Sequence, residues 1–183
     1  MLLFQKAEIS DANDIAQLVN SAYRGETSRK GWTTEADLLE GLRTTTPEVA
    51  QIIKREDAFM LIGVINNEIV ATVCCEWQAI GGSNTAHFGM IAVKPTLQNK
   101  GYGKQIIAAA EALTRREWRV VGFTMTVISI RHELIAFYEK LGYQRTGEFK
   151  DFPENPELWQ PKVEGLNLQY LAKLVETKRM EII

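Results

Sequence analysis

The chain is poor in the residues that build metal and redox centres. Of its 183 residues only two are cysteine, the adjacent pair Cys74-Cys75, and only two are histidine, His87 and His132. Neighbours on a strand point to opposite faces, so a disulfide within the pair would be strained, and no metal-ligand spacing accompanies the histidines. Two reduced thiols and no metal are therefore expected. No apolar run reaches membrane-spanning length, and the start, MLLFQKAEIS, has neither a basic leader nor an extended apolar segment. The expectation is a cytoplasmic protein with no membrane partner. Charge of one sign is not in excess either. A formal net charge of -2 argues against a broad field that grips nucleic acid, yet leaves room for a local basic pocket for one small anion. Repeats, low-complexity linkers and composition breaks are missing, so one domain over 1–183 is expected.

What is present alternates between two periods. Leu2 to Glu8 reads as a strand; Ser10-Asp11-Ala12-Asn13 then caps a helix with Ile15, Leu18, Val19 and Ala22 on one face. A polar stretch, Arg24 to Thr33, precedes a predicted second helix from Thr34-Glu35-Ala36-Asp37 through Leu42. Thr44-Thr45-Thr46-Pro47 breaks it and starts a short helix to Ile53. From Ala58 the period becomes that of strands: Phe59 to Ile65 and Glu68 to Trp77 around an Asn66-Asn67 turn, then Ala86 to Val93 after a Gly81–Asn84 loop. A long helix to about Arg116, a strand over Val120–Ile128 and a helix over Arg131–Leu141 follow, the last stopped by Gly142. Strands at Tyr143–Lys150 and Leu166–Leu174 flank a proline-containing loop, Phe152 to Pro161. This order predicts an α/β (α+β) fold with a mixed sheet and helices on its faces, including one parallel strand-helix-strand crossover.

The stretch IAVKPTLQNKGYGKQIIAAAEAL, Ile91 to Leu113, joins a strand to a helix through a basic turn with two glycines and no acid. A P-loop would need Ser or Thr after Gly103-Lys104, where Gln105 stands. A dinucleotide fingerprint would need a third glycine, where Ile106 stands, and a strand running straight into the first, which Pro95-Thr96-Leu97 prevents. A third design fits: Gln98-x-x-Gly101-x-Gly103 opens a helix whose free N–H groups and dipole favour a pyrophosphate, with charge from Lys100 and Lys104. A plain strand-to-helix loop is the other reading of the turn.

Further on, Arg131 to Tyr143 carries Phe137-Tyr138-Glu139-Lys140-Leu141-Gly142-Tyr143. Gln-x-x-Gly-x-Gly after a Val-x-Pro strand end, followed at this separation by FYEKLGY, resembles the GNAT family of acyl-CoA N-acyltransferases. The specific match runs from about Gly89 to Gly147, and the order of elements agrees over nearly the whole chain. The resemblance implies a mostly antiparallel sheet of about seven strands around a central parallel acyl-CoA site. It implies acetyl-CoA as co-substrate and an amine acceptor. The turn Gln98, Asn99, Lys100, Gly101, Tyr102, Gly103 and Lys104 would hold the pyrophosphate, and Ile91, Ala92 and Val93 would offer main-chain groups to the pantetheine. The slot would lie between the Ala86–Val93 and Val120–Ile128 strands, and Tyr138 would protonate the departing thiolate. Seven residues before this tyrosine, many members carry asparagine; here Arg131 stands, a candidate for a coenzyme phosphate.

An amine acceptor must lose a proton before attack. His87, eleven residues before Gln98, has an ordinary pKa of about 6.5 suited to that task, and on a regular strand it shares a face with Gly89, Ile91 and Val93. Glu76 on the neighbouring strand is the second candidate base. The resemblance places acceptor recognition in Tyr23 to Glu35 and in Phe152-Pro153-Glu154-Asn155. Arg24 and Arg29 are candidates to pair with an acceptor carboxylate, Tyr23 and Trp32 to wall the pocket, while solvated loop charges and a core anchor are the plainer readings. A small-molecule acceptor leads. A protein or peptide acceptor, a non-catalytic acyl-CoA-binding module and a nucleotide-binding regulatory domain are the alternatives, and an exposed sheet edge or helix face is compatible with a homodimer.

Overall fold

The computed structural model describes residues 1–175. In chain order they form β1 (Leu3–Lys6), α1 (Ala12–Tyr23), the short α2 (Gly25–Ser28), β2 (Leu39–Gly41), α3 (Thr46–Lys54) and β3 (Ala58–Ile65). Then come β4 (Glu68–Ile80), β5 (Ser83–Val93), α4 (Tyr102–Trp118), β6 (Gly122–Ile128), α5 (His132–Lys140), β7 (Gln144–Asp151), β8 (Trp159–Pro161) and β9 (Asn167–Leu174). Seven strands make one sheet in the order β1-β3-β4-β5-β6-β9-β7, and β2 and β8 pair separately. Among these pairs only β5 with β6 is parallel, the crossover being α4. The expected mixed, mostly antiparallel architecture is the observed one.

Both faces of the sheet are covered. Ile15, Leu18, Val19 and Ala22 of α1, with Val49 of α3, pack on Met60, Ile62, Cys74 and Ala92. On the other face Ile106, Ile107 and Ala110 of α4 and Leu134, Ile135 and Tyr138 of α5 pack on Phe59, Leu61, Val73, Cys75, Phe88 and Met125. Cys74 and Cys75 thus go to opposite faces, both buried and both free. Two-residue turns close the hairpins: Asn66 and Asn67, then Gly81 and Gly82, all have positive φ, which matches the twist of the flanking strands. The second turn is tighter than the Gly81–Asn84 loop expected from sequence, so β4 and β5 are longer.

The predicted helix over Thr34–Leu42 does not form. Its place is taken by an extended segment, a turn at Ala36–Leu38 and then β2, which pairs with β8 inside the predicted Phe152–Pro161 loop. Local propensity loses here to tertiary pairing. Glu35 N donates to Tyr23 O (2.8 Å), and Leu42 N to Leu158 O (2.9 Å). Gly41 adopts φ +96, and a Cβ there would lie 2.3 Å from Leu158 O. The strand can pass this close only because residue 41 has no side chain. Another departure is α2, one helical turn within the stretch expected to be loop.

Candidate functional site

The site begins where β5 and β6 part. They pair from Thr85↔Gly122 to Phe88↔Met125 and no further, although β5 runs on to Val93 and β6 to Ile128. On its other side β5 stays paired with β4, but Gly89 faces Cys74 while Ala92 faces Thr72, so β5 carries one extra residue. Met90, at φ 47, is that bulge. A bulge shifts the side-chain alternation by one. His87 therefore does not share a face with Val93, contrary to the regular-strand expectation: Val93 packs on the α4 side and Ala92 on the α1 side.

Past β5, α4 starts at Gly101 in the left-handed region (φ +81), after Asn99 at φ 64. The first-turn N–H groups of Tyr102, Gly103 and Lys104 face outward from the helix end, with Gln105 N making the first intrahelical bond to Gly101 O. Gly101, Gly103, Lys104, Asn99, Phe137 and Trp32 are among the lining of a cavity of about 160 Å³ at this helix mouth. Lys100 is exposed beside it. The Gln98 side chain is spent inward. Its Oε1 accepts from Trp32 N (2.8 Å) and its Nε2 donates to Thr33 Oγ1 (2.8 Å) and Val93 O (3.1 Å), so it braces the turn against the 31–33 loop. Gly31 leaves room for this amide, since a Cβ would sit 2.5 Å from Gln98 Oε1 and push it out of these bonds.

A second cavity, of about 240 Å³, lies on the α1 side of the opening, and Ile91, Leu134 and Tyr138 line both. His87 and Glu76 sit there side by side, directly paired across β4 and β5. His87 Nδ1 lies 2.9 Å from Thr124 Oγ1, and burial pushes its pKa below the ordinary 6.5. Glu76 is held by Arg55 at 2.5 Å, which also bonds Asp57. Phe152, Pro153 and Trp159 close the cavity from the β8 side. Tyr138 is 4% exposed, and burial, followed by the charge of Tyr23, holds its hydroxyl well above the ordinary 10.0. Tyr23 also lines the cavity, but its hydroxyl donates to Ile91 O, and burial lifts its pKa to about 12.

The arginines do not all stand where the sequence suggested. Arg24 lines the acceptor-side cavity, 5% exposed. Arg29 does not: it lies outside, bonded to Glu26 (3.0 Å) and Asp37 (2.8 Å). Trp32 walls the helix-mouth cavity rather than the second one, its ring 5.6 Å from Phe137. Arg131, expected near a phosphate, points inward to Glu35 at 3.3 Å. Its buried partner drew it there, and that partner was missed. Glu35 bonds Arg24 (3.3 Å) as well as Arg131 and is itself 9% exposed. It read as a helix-start carboxylate, and only the pairing of β2 with β8 turns it inward. Arg43, also lining the cavity, was missed for the same reason. Among the described residues no group of three or more His, Cys, Asp or Glu gathers to hold a metal, and no helix is long and apolar enough to cross a membrane.

Residues 14–143 match the model of the acetyltransferase (GNAT) family. Solved structures of similar shape include a GNAT-family acetyltransferase from Streptococcus pneumoniae at 16% identity, covering 96% of this chain and 100% of that one, with TM-score 0.67. The ribosomal-protein-S18-alanine N-acetyltransferase of Escherichia coli is 14% identical over 100% of this chain and 99% of that one, TM-score 0.66. A chimeric spermidine N-acetyltransferase from Vibrio cholerae is 13% identical over 94% and 95%, TM-score 0.66. At these identities the likeness is one of fold. No curated protein matches.

Proposed function

Since this chain belongs to the GNAT family of acetyltransferases, we propose that it transfers an acetyl group from acetyl-CoA directly to the amine of a small molecule. One observation carries the reading: two cavities, one at a glycine-lined helix mouth and one on the α1 side, meet at the parting of β5 and β6, with Tyr138 lining both. The residues fit the donor. Gly101 is needed for its backbone, but Gly103 is not, since a Cβ there would make only ordinary contacts at 3.6 Å and 3.9 Å with Phe137 and Val93. A glycine that the fold does not demand, at a cavity and a helix N-terminus, suits close approach of a pyrophosphate. Gly101, Tyr102, Gly103 and Lys104 would hold it, and the β6-facing main-chain groups of Gly89 to Val93, except Ile91 O, would meet the pantetheine. Acetyl-CoA, when bound, supplies an activated thioester.

The rest is the work of this chain. Tyr138 Oη keeps its proton at neutral pH, as a donor to a departing sulfur must. His87 is neutral at the same pH and accepts a proton. A Thr124 hydroxyl accepting from Nδ1–H leaves Nε2 with the free lone pair. Glu76, engaged by Arg55, orients the site from the adjacent strand. Phe152, Pro153 and Trp159 narrow the cavity from the β8 side, which suits a compact acceptor over a polypeptide.

Calorimetric titration with acetyl-CoA, wild type beside Gly103→Ala, tests the donor assignment. The added methyl relieves a glycine in the first helical turn, gaining up to about 1 kcal/mol of stability, while obstructing the cradle. Weaker binding by a protein at least as stable as wild type is expected. A folded wild type that binds no acetyl-CoA would overturn the assignment.

A further inference from the structure

Resting on that reading, we propose that the acceptor is an amino-carboxylate, its anionic group held by Arg24 and Arg43 on the wall of the second cavity and its amine directed toward His87 and Tyr138. The starting observation is an unspent donor. Arg24 is 5% exposed, and its Nε–H is buried with no hydrogen-bond partner. Its other nitrogens are only loosely engaged, Nη1 with Leu42 O at 3.4 Å and Nη2 with Glu35 Oε2 at 3.3 Å. A buried guanidinium cannot shed its charge at neutral pH, so a group this loosely held on the wall of a cavity calls for an acceptor atom.

Charge accounting points the same way. Three guanidinium groups, those of Arg24, Arg43 and Arg131, act on the Tyr23 hydroxyl together with one carboxylate, Glu35, which already bonds Arg24 and Arg131. Glu76, the other acid on the cavity wall, shares Arg55 with Asp57 and is not paired with any of these three. Arg43 lines the cavity close enough to Arg24 that the two repel. Its position is built: Asn20 Oδ1 accepts from Arg43 N (2.7 Å) and Thr44 N (3.2 Å), and Asn20 Nδ2 donates to Thr44 O (3.0 Å). The excess of positive charge is therefore held in place by α1, and one bound carboxylate would relieve it. A polyamine would worsen it. The remaining wall includes Met90, Met125, Val127, Leu134 and Trp159, which suits an apolar body between the two polar ends. At about 240 Å³ the space matches a molecule of amino-acid size.

Matched probe pairs test this: phenylalanine with phenethylamine, and leucine with isoamylamine, which differ only in the carboxylate. Calorimetric binding in the presence of coenzyme A is measured first, then thiol release from acetyl-CoA. The amino acid of each pair should bind and react about 10- to 100-fold better than its amine, the range for a charge-assisted contact. Arg43→Gln should erase most of that preference. Arg29→Gln, outside the cavity, should keep it. Arg43 is half-buried and not paired with Glu35, so the variant is expected to fold, with thermal melting as the check. Equal handling of both members of each pair, preference for the amines, or no binding of any carboxylate at millimolar concentration overturns the proposal. Carboxylate binding lost in Arg43→Gln but without acetyl transfer would uphold the arginine carboxylate site and overturn the enzymatic reading, and with it the role of the bound molecule as acceptor.

Discussion

Replacing Tyr138 by phenylalanine separates the chemistry of this site from its packing. The ring lies edge-on to Phe137, with centroids 5.3 Å apart, and to Tyr143 at 6.2 Å, and the residue is 4% exposed. Phenylalanine keeps all of that ring contact. The hydroxyl's raised pKa comes from burial and neighbouring charge, with no hydrogen bond contributing, so deleting it breaks no internal bond. Stability should move by less than about 1 kcal/mol. For a chain of this size that is a melting shift within about 4 °C.

Turnover should respond quite differently. A positioned general acid contributes about 10²- to 10⁴-fold, so the maximal rate of thiol release should drop by at least that lower factor. In free-energy terms the transition state loses roughly 3 kcal/mol or more. The donor cradle at Gly101 and Gly103 is untouched, so acetyl-CoA affinity by calorimetry should stay within a few-fold. The split matters: kcat falls while binding and melting hold. Turnover within a few-fold of wild type would show that the thiolate takes its proton from elsewhere. A large fall in melting temperature or in coenzyme affinity would show that the hydroxyl is structural.

Two pH experiments follow from the buried groups. Tyr23, Tyr138 and Tyr143 all have pKa values raised by burial, Tyr23 from 10.0 to about 12. Below pH 10.0 they are protonated in folded and unfolded chains alike; above it the unfolded chain ionises first, so stability falls. Urea midpoints should decline from pH 10 upward, Tyr23 alone accounting for about 2 kcal/mol by pH 12, and a flat response would contradict this burial. For His87 the sign is opposite, its pKa lying below 6.5, so the rate limb it governs should appear only below that pH. His87→Ala should cut turnover about 10²-fold and flatten that limb, and unchanged kinetics would remove it from the mechanism.

The glycine turn and the helix it opens were legible in the sequence because they are local. Gly101, Gly103 and the helix of Ile106, Ile107 and Ala110 lie within a dozen residues, and a helix N-terminus follows from glycines and periodicity alone. The sheet was legible for a similar reason, since β3, β4 and β5 are joined by tight turns. The acceptor side was not. Its floor depends on β2 meeting β8 across more than a hundred residues, a pairing of three residues on each side that no local pattern announces. Thr34-Glu35-Ala36-Asp37 has every mark of a helix start, yet Glu35 is extended, carried inward by that pairing to bond Arg24 and Arg131. Arg29 and Arg24 are five residues apart in one polar stretch, and composition cannot tell the buried one from the exposed one.

Met90 ties these levels together. A non-glycine residue at φ 47 costs on the order of 1 kcal/mol, and such strain persists only where surrounding contacts over-determine it. Here β4 pairs with β5 on both sides of the bulge, so the strand cannot slip to relieve it. The extra residue has a double effect. It lets His87 face the acceptor cavity on the α1 side while Val93, six residues on, faces the α4 side next to the cradle. It also lies just past Phe88↔Met125, the last pair before β5 and β6 separate. A straight strand would keep His87 and Val93 on one face and favour continued pairing with β6. The same residue that turns the alternation thus coincides with the slot through which two cavities meet, and it leaves His87 and the glycine turn on opposite faces of the sheet, each lining one of them.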